Sequence, residues 1–167
     1  KVEESSGSLI GTSYLKNIIL THTSGSKVII EKLAFNLDII SSILNSQKIS
    51  FDLITMEGLD AEYDSNQISE NQVLYQKPKN IPFEISTFFI DGRLRANIDG
   101  DSITFNLLLG GELLTSEYST FNFNLFKLVI NEDQNLNLHF DHLTMGDNGD
   151  AYYLKDINGT FLNFPIK

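Results

Sequence analysis

The alternation of apolar and polar residues is sharpest between positions 28 and 53, where its period changes twice. Ile29, Leu33, Phe35 and Leu37 take every second position, with Glu31 the one charged interruption, which is the spacing of a strand with one buried face. From Asp38 onward Ile39, Ile40, Ile43 and Leu44 fall on one side of a helix and Ser41, Ser42 and Asn45 on the other. Asp38 is placed to accept from the free amides of the first helical turn, and Asn45 with Ser46 supplies a stop. Period two returns at Ile49, Phe51 and Leu53. A helix of about two turns is not stable alone. Ile39, Ile40, Ile43 and Leu44 are therefore expected to plug an open end of the sheet formed by their neighbours.

The rest of the chain reads as strands and turns. Residues 7–20 form an extended stretch, 23–26 a turn, and Gly58 a break before a last short strand at 59–63. Residues 64–80 are polar, lack an apolar period and are longer than a compact domain normally leaves without structure. Extended structure restarts at Ile81-Pro82-Phe83, and Asp91-Gly92 and Asp99-Gly100 read as tight turns. Residues 102–109 are the cleanest strand, with Ile103, Phe105, Leu107 and Leu109 on one face and only Leu108 bulky on the other. Gly110-Gly111 reads as a turn, and 113–118 as weak structure. Phe121, Phe123 and Leu125 alternate against Asn122 and Asn124, after which Phe126, Leu128 and Ile130 take the opposite parity, so a bulge is expected near Leu125. Residues 131–135 and 146–150 read as turns. Between them Leu136, Leu138 and Phe140 alternate with Asn137, His139 and Asp141. The closing stretch repeats the opening one in residue type, Tyr153-Leu154-Lys155-Asp156-Ile157 against Tyr14-Leu15-Lys16-Asn17-Ile18.

About ten strands, hairpin turns and one short helix near 38–46 predict a mainly β chain, a meandering antiparallel sheet rather than a βαβ fold. Its organisation reads as a capping unit at 1–63, a polar loop or linker at 64–80, and a continuing meander of the same domain at 81–167. Several strands carry bulky apolar residues on one face and Asn, Thr, Ser or Asp on the other. Such a sheet buries its apolar face in a sandwich, a closed barrel or a curved trough filled by something else, and period alone does not separate these.

Composition narrows the function classes. Twelve basic against twenty-two acidic residues give a net charge of -10, which repels phosphate backbones and excludes nucleic acid as the expected partner. The chain has no cysteine, so a thiol nucleophile, a disulfide framework and a zinc-thiolate site are out of reach. No apolar run approaches the roughly 18 residues of a spanning helix. Lys1 rather than Met opens the chain, and an upstream segment is expected to precede it.

Residues 7–11 (Gly-Ser-Leu-Ile-Gly) leading to Leu15-Lys16-Asn17-Ile18, then Val28-Ile29-Ile30-Glu31-Lys32-Leu33 with Phe35, the run Asp38-Ile39-Ile40-Ser41-Ser42-Ile43-Leu44 with Ile49, and Gly58-Leu59, resemble the N-terminal region of TamB proteins. These are the AsmA-like translocation and assembly module proteins of diderm bacterial envelopes. The resemblance covers about the first 63 residues; beyond them the strand-turn rhythm alone agrees. It implies an open, U-shaped, taco-like β-sheet trough with an apolar interior, in the periplasm, held to the inner membrane by an upstream helix and continued by the rest of a longer chain. It also implies phospholipid acyl chains as cargo, and an outer-membrane barrel protein or its extruded strands as partner. No cofactor is implied.

On this reading the groove is lined from the first unit by Ile29, Leu33, Phe35, Ile49, Phe51 and Leu53. From the second it is lined by Ile103, Phe105, Leu107, Leu109, Phe121, Phe123, Leu125, Leu138 and Phe140. The rival is a self-packed β-sandwich that recruits a protein through its sheet edges. Catalytic and metal-binding constellations find little support. His139 and Asp141 share a strand face while His142 points away, the aspartates near glycines lack the spacing of a calcium loop, and no nucleophile-elbow sequence accompanies the Ser, His and Asp residues. An enzyme is not expected.

Overall fold

The structure, a computed structural model, describes residues 1–8, 10–21, 26–44, 48–64, 83–98, 101–115, 119–131, 133–147, 152–162 and 164–166. Among them are β1 (Glu4–Ser6), β2 (Thr12–Thr21), β3 (Lys27–Asp38), α1 (Ile39–Leu44), β4 (Ile49–Asp64), β5 (Phe83–Ile98), β6 (Asp101–Thr115), β7 (Ser119–Ile130), β8 (Asp133–Asp147), β9 (Tyr152–Phe161) and β10 (Phe164–Ile166). They form one ten-stranded sheet whose spatial order follows chain order. β1 and β10 are its two edges, so the sheet is open. Beyond sheet neighbours, only α1 against β4 makes substantial contact between described elements, and no second layer covers the sheet among the described residues.

The meander is antiparallel except at one place. β4 and β5 run parallel, with Ile49 beside Phe83 and Asp64 beside Asn97, which corrects the expectation of an antiparallel sheet throughout. A parallel pair needs a crossover of about a dozen residues or more. The chain between Asp64 and Phe83 has that length, and the polar loop read at 64–80 lies, apart from Asp64, outside the described residues.

The strands also run longer than their glycines suggest. β4 continues through Gly58, β5 through Asp91-Gly92 and β6 through Gly110-Gly111, so none of these is a turn. At Gly92 a Cβ atom would stand 2.6 Å from Leu59 Cβ, and at Gly111 it would stand 2.1 Å from the Asn122 carbonyl oxygen. These glycines allow strands to approach closely where a neighbour leans across. The dipeptide Asp99-Gly100 lies outside the described residues, as do residues 23–25 of the turn read at 23–26 and 148–150 of the turn read at 146–150, whose first two residues, Gly146 and Asp147, instead end β8.

The bulge expected near Leu125 is present: Gly110 pairs with Leu125 but Gly111 pairs with Phe123, leaving Asn124 as the extra residue. The echo between the two ends of the chain extends to the backbone. Asn17 has φ 50° and Asp156 φ 55°, so the same position of each five-residue stretch adopts the left-handed conformation that Asn and Asp tolerate best among residues with a Cβ.

Candidate functional site

Cross-strand partners point to the same side of a sheet, so the register divides the residues between two sides. One side is apolar across the sheet. Phe51 beside Ile85, Ile54 beside Phe88, Leu109 beside Ile90 and Phe126, Phe105 beside Leu94 and Ile130, and Leu107 beside Leu128 all belong to it. Its most buried part is a cluster of Ile85, Phe88, Leu113, Phe123, Phe140 and Leu143, with Phe51, Ile54, Phe83, Ile90, Leu109, Phe121, Phe126, Leu138 and Ile157 packed at its margins.

Aromatic rings bind the cluster together. Phe88 of β5 meets Phe121 and Phe123 of β7 at 6.3 and 5.8 Å between centroids, reaching over Gly111 of the intervening β6, where there is no side chain to obstruct them. Phe123 touches Phe126 at 5.5 Å, and Phe126 touches Phe140 at 5.6 Å. A second run, Phe35 to Phe51 to Phe83, crosses from β3 to β5 at 6.1 and 6.4 Å. Edge-to-face pairs of this kind contribute about 0.5–1.5 kcal/mol each beyond the area they bury. Leu113 is 1% exposed although it belongs to a single layer; the rings around it, rather than an opposing sheet, exclude the water.

Away from the cluster the same side is less covered. Ile103, Phe105 and Leu107 are half-buried, and Leu94 is exposed. The apolar side therefore has a sealed aromatic patch toward the α1 end and an accessible aliphatic stretch toward the other.

The opposite side carries paired polar groups that answer one another, interspersed with Phe89, Leu108 and Leu125. Asn122 Nδ2 donates to Glu112 Oε1 at 2.8 Å, and Thr144 Oγ1 donates to Asn122 Oδ1 at 3.0 Å. Arg95 Nη2 donates to both Asp60 carboxylate oxygens at 2.8 and 3.0 Å, and this hydrogen bonding raises the guanidinium pKa above its ordinary value. Lys32 pairs with Glu57. A shallow cavity of about 630 Å³ opens on this side beside Glu31, Asp91, Arg93 and Lys127. His139 Nε2 lies 3.5 Å from Asp141 Oδ1, and no group of three metal-ligating side chains occurs among the described residues.

Most of the proposed lining residues share the apolar side: Leu33, Phe35, Ile49, Phe51, Ile103, Phe105, Leu107, Leu109, Phe121, Phe123, Leu138 and Phe140. Three do not. Leu53 pairs with Asn36, because Asp52 is an extra residue that reverses the parity after Phe51. Leu125 pairs with Gly110, on the side of Asn106 and Lys127, because of the bulge at Asn124. Ile29 pairs with Asp60, while its neighbour Ile30 pairs with Leu59 and is the buried one.

The plug is also corrected. No residue of α1 is buried, and Ile40, Ile43 and Leu44 are 73%, 72% and 82% exposed. The serines, rather than the isoleucines, fix the helix to the sheet. Ser41 N donates to Asp38 Oδ1 at 2.9 Å, Ser42 Oγ donates to the Asp38 carbonyl at 2.6 Å, and Ser50 N donates to Ser42 Oγ at 2.9 Å. Hydrogen bonds from Ser41, side chain first and then backbone, hold the Asp38 carboxyl below its usual pKa. With Ser42 turned toward β4, Ile40, Ile43 and Leu44 turn outward, while Ile39 is half-buried.

Leu113, Phe88, Leu143 and Ile54 belong to the site but escape the alternation reading. Leu113 continues the parity of Leu107 and Leu109 once Gly110-Gly111 is read as strand; the others follow a bulge that resets the count. Compared with known proteins, the chain matches no family model and no curated protein.

Proposed function

We propose that this chain is a non-enzymatic module that carries phospholipid acyl chains along the apolar side of its sheet, as part of a longer groove between the membranes of a bacterial envelope, with a role in outer-membrane protein assembly through a barrel partner. The observation that carries the reading is the single open layer whose apolar side has no covering layer among the described residues. The resemblance of the first 63 residues to TamB proteins supports the choice of cargo and place. Contact of this kind is non-directional, and each methylene of an acyl chain removed from water contributes about 0.8 kcal/mol. Sliding along such a surface requires no fixed site and no chemistry. The accessible stretch at Ile103, Phe105 and Leu107 is where we expect the cargo to lie, and the aromatic cluster is the rigid part that keeps the sheet in shape.

The test uses two neighbours in β6 that point to opposite sides. A photoreactive residue at Leu107 should crosslink phospholipid in membranes or extracts, and one at Leu108 should not. Equal crosslinking at both, or none at Leu107, would refute lipid carriage along this side.

A further inference from the structure

The two echoing stretches differ in what lies along their outer edges. On β2 that edge is covered: Glu4 pairs with Lys16, Ser5 with Leu15 and Ser6 with Tyr14, and Lys1 and Ile19 exchange hydrogen bonds at 2.7 and 2.8 Å. Side chains follow suit, with Lys16 against the Glu4 carboxylate and Asn17 Nδ2 donating to Glu3 Oε2 at 2.9 Å. On β9, β10 pairs with residues 159–161 alone. From Tyr153 to Asn158 no strand lies on that edge among the described residues, and Leu154 is 60% exposed where its counterpart Leu15 is half-buried. An uncovered edge of this kind is a template for another strand.

The covered edge says what the uncovered one accepts. An antiparallel strand passes the left-handed residue without difficulty, since pairing continues on both sides of Asn17. It sets a carboxylate opposite the lysine. In β9 Lys155 lies 5.7 Å from the Tyr153 ring and has no carboxylate partner among the described residues. The next residue is Asp156 in place of Asn17, so an incoming strand needs a cation there. Along an antiparallel strand these two requirements read as Lys followed by an acidic residue, which is the sequence Lys155-Asp156 itself.

We propose that β9 of a second copy of this chain docks on this edge, antiparallel and about a two-fold axis between Lys155 and Asp156. Each Lys155 then faces the second copy's Asp156, each Leu154 its Ile157 and each Tyr153 its Asn158. The register matches sides as well as charges. Leu154, beside Met145, and Ile157, at the margin of the aromatic cluster, lie on the apolar side. Tyr153, whose hydroxyl meets Thr120, and Asn158, beside His142, lie on the polar one. A shift of one residue in either direction sets lysine against lysine or aspartate against aspartate, which is destabilising. Opposite Gly159 the second copy's Tyr152 takes the place of Ile166, so β10 gives up one of its three pairs. The two open sheets thus join into one with a continuous apolar side, whether or not that side carries lipid.

The full chain, without lipid, should show a concentration-dependent equilibrium between monomer and dimer in sedimentation, and amide hydrogen exchange at residues 153–158 should slow as the dimer forms. Lys155→Glu puts like charges opposite each other in both symmetry-related pairs and should weaken the dimer by about tenfold or more. Lys127→Glu, an equal change of charge at an exposed residue away from this edge, should leave it unchanged. Asp156→Lys should weaken the dimer as Lys155→Glu does. An equimolar mixture of the Lys155→Glu and Asp156→Lys chains should recover dimers of mixed composition, because a carboxylate again faces a lysine in both pairs.

A chain that stays monomeric at every concentration would overturn the proposal. So would a dimer that Lys155→Glu leaves intact, slowed exchange that spares residues 153–158, or folded variants whose mixture fails to recover dimers. Hydrogen exchange on the unaltered chain reads the same edge without any substitution, so a variant that does not fold leaves the outcome decided. Crosslinking at Leu107 reads the long apolar side independently, and failure of one reading is distinguishable from failure of the other.

Discussion

Two aspartate substitutions on the apolar side separate its sealed and accessible parts. Phe123 is 4% exposed and has the Phe88, Phe121 and Phe126 rings within 6.0 Å of its own. Truncating such a ring costs about 3–5 kcal/mol, and placing a carboxylate among the remaining rings adds several kcal/mol more, whether the charge is buried or the proton is taken up. Phe123→Asp should therefore remove most of the roughly 5–15 kcal/mol that holds a domain together, leaving no cooperative melt. Phe105 is half-buried beside Leu94, which is exposed. A carboxylate there stays hydrated, and the loss is only part of the burial of one Phe side chain, about 1–1.5 kcal/mol. For a chain of this size that lowers the melting temperature by about 3–6 °C. Circular-dichroism melts at neutral pH read both variants. If Phe105→Asp unfolds the protein as completely as Phe123→Asp, the whole apolar side is closed, and the division between a rigid patch and an open stretch is wrong.

The Glu84 carboxyl is held below its ordinary pKa chiefly by the Lys48 hydrogen bond, so its contribution is present above the unfolded carboxyl value and fades as pH falls through the lower folded one. Comparing urea midpoints, Glu84→Gln should cost about 0.5–1 kcal/mol at pH 7, screened because the side chain is 34% exposed, with the difference shrinking as pH falls below the unfolded carboxyl value; a constant difference would mean that charge is not what matters. At Asp156, where φ is 55°, Asp156→Val should destabilise by about 1–2 kcal/mol and Asp156→Gly should stabilise by up to about 1 kcal/mol. Neutral behaviour of the valine variant in a thermal melt would show that the left-handed geometry is not maintained.

The mainly β character, the short helix directly after Asp38 and the bulge beside Leu125 were legible because each is written in local periodicity. The parallel pairing of β4 and β5 was not, since direction depends on where a distant strand returns. Its one trace was the length of the polar stretch after residue 63, which a hairpin does not require. The outward face of α1 was hidden for a different reason. Helical spacing shows that Ile40, Ile43 and Leu44 share a side, but which side meets the sheet is decided by the hydrogen bonds of Ser42 to Asp38 and Ser50. Gly92 and Gly111 look like turn residues in isolation and act as clearances only because Leu59 and Asn122 lean across them.

A rule that would have located most of the apolar side emerges from the register. In a plain strand one side recurs every two residues, and a bulge inserts one more, so the same side recurs after three. Pairs at that spacing mark each interruption: Phe51 and Ile54 in β4, Ile85 and Phe88 in β5, Phe123 and Phe126 in β7, Phe140 and Leu143 in β8. The two echoing stretches obey it as well, with Leu15 and Ile18 spanning Asn17 and with Leu154 and Ile157 spanning Asp156. Read as alternation broken by error, these segments scatter their large residues over both sides. Read as bulged strands, they keep the bulky residues together. The bulges of β5, β7 and β8 fall in adjoining rows, where Gly110-Gly111 of β6 provides the clearance, and bulged strands bend and twist more than plain ones. The same insertions that disturb the simple pattern thus keep the apolar side continuous and let its rings close over β6, which is why one layer excludes water from Leu113.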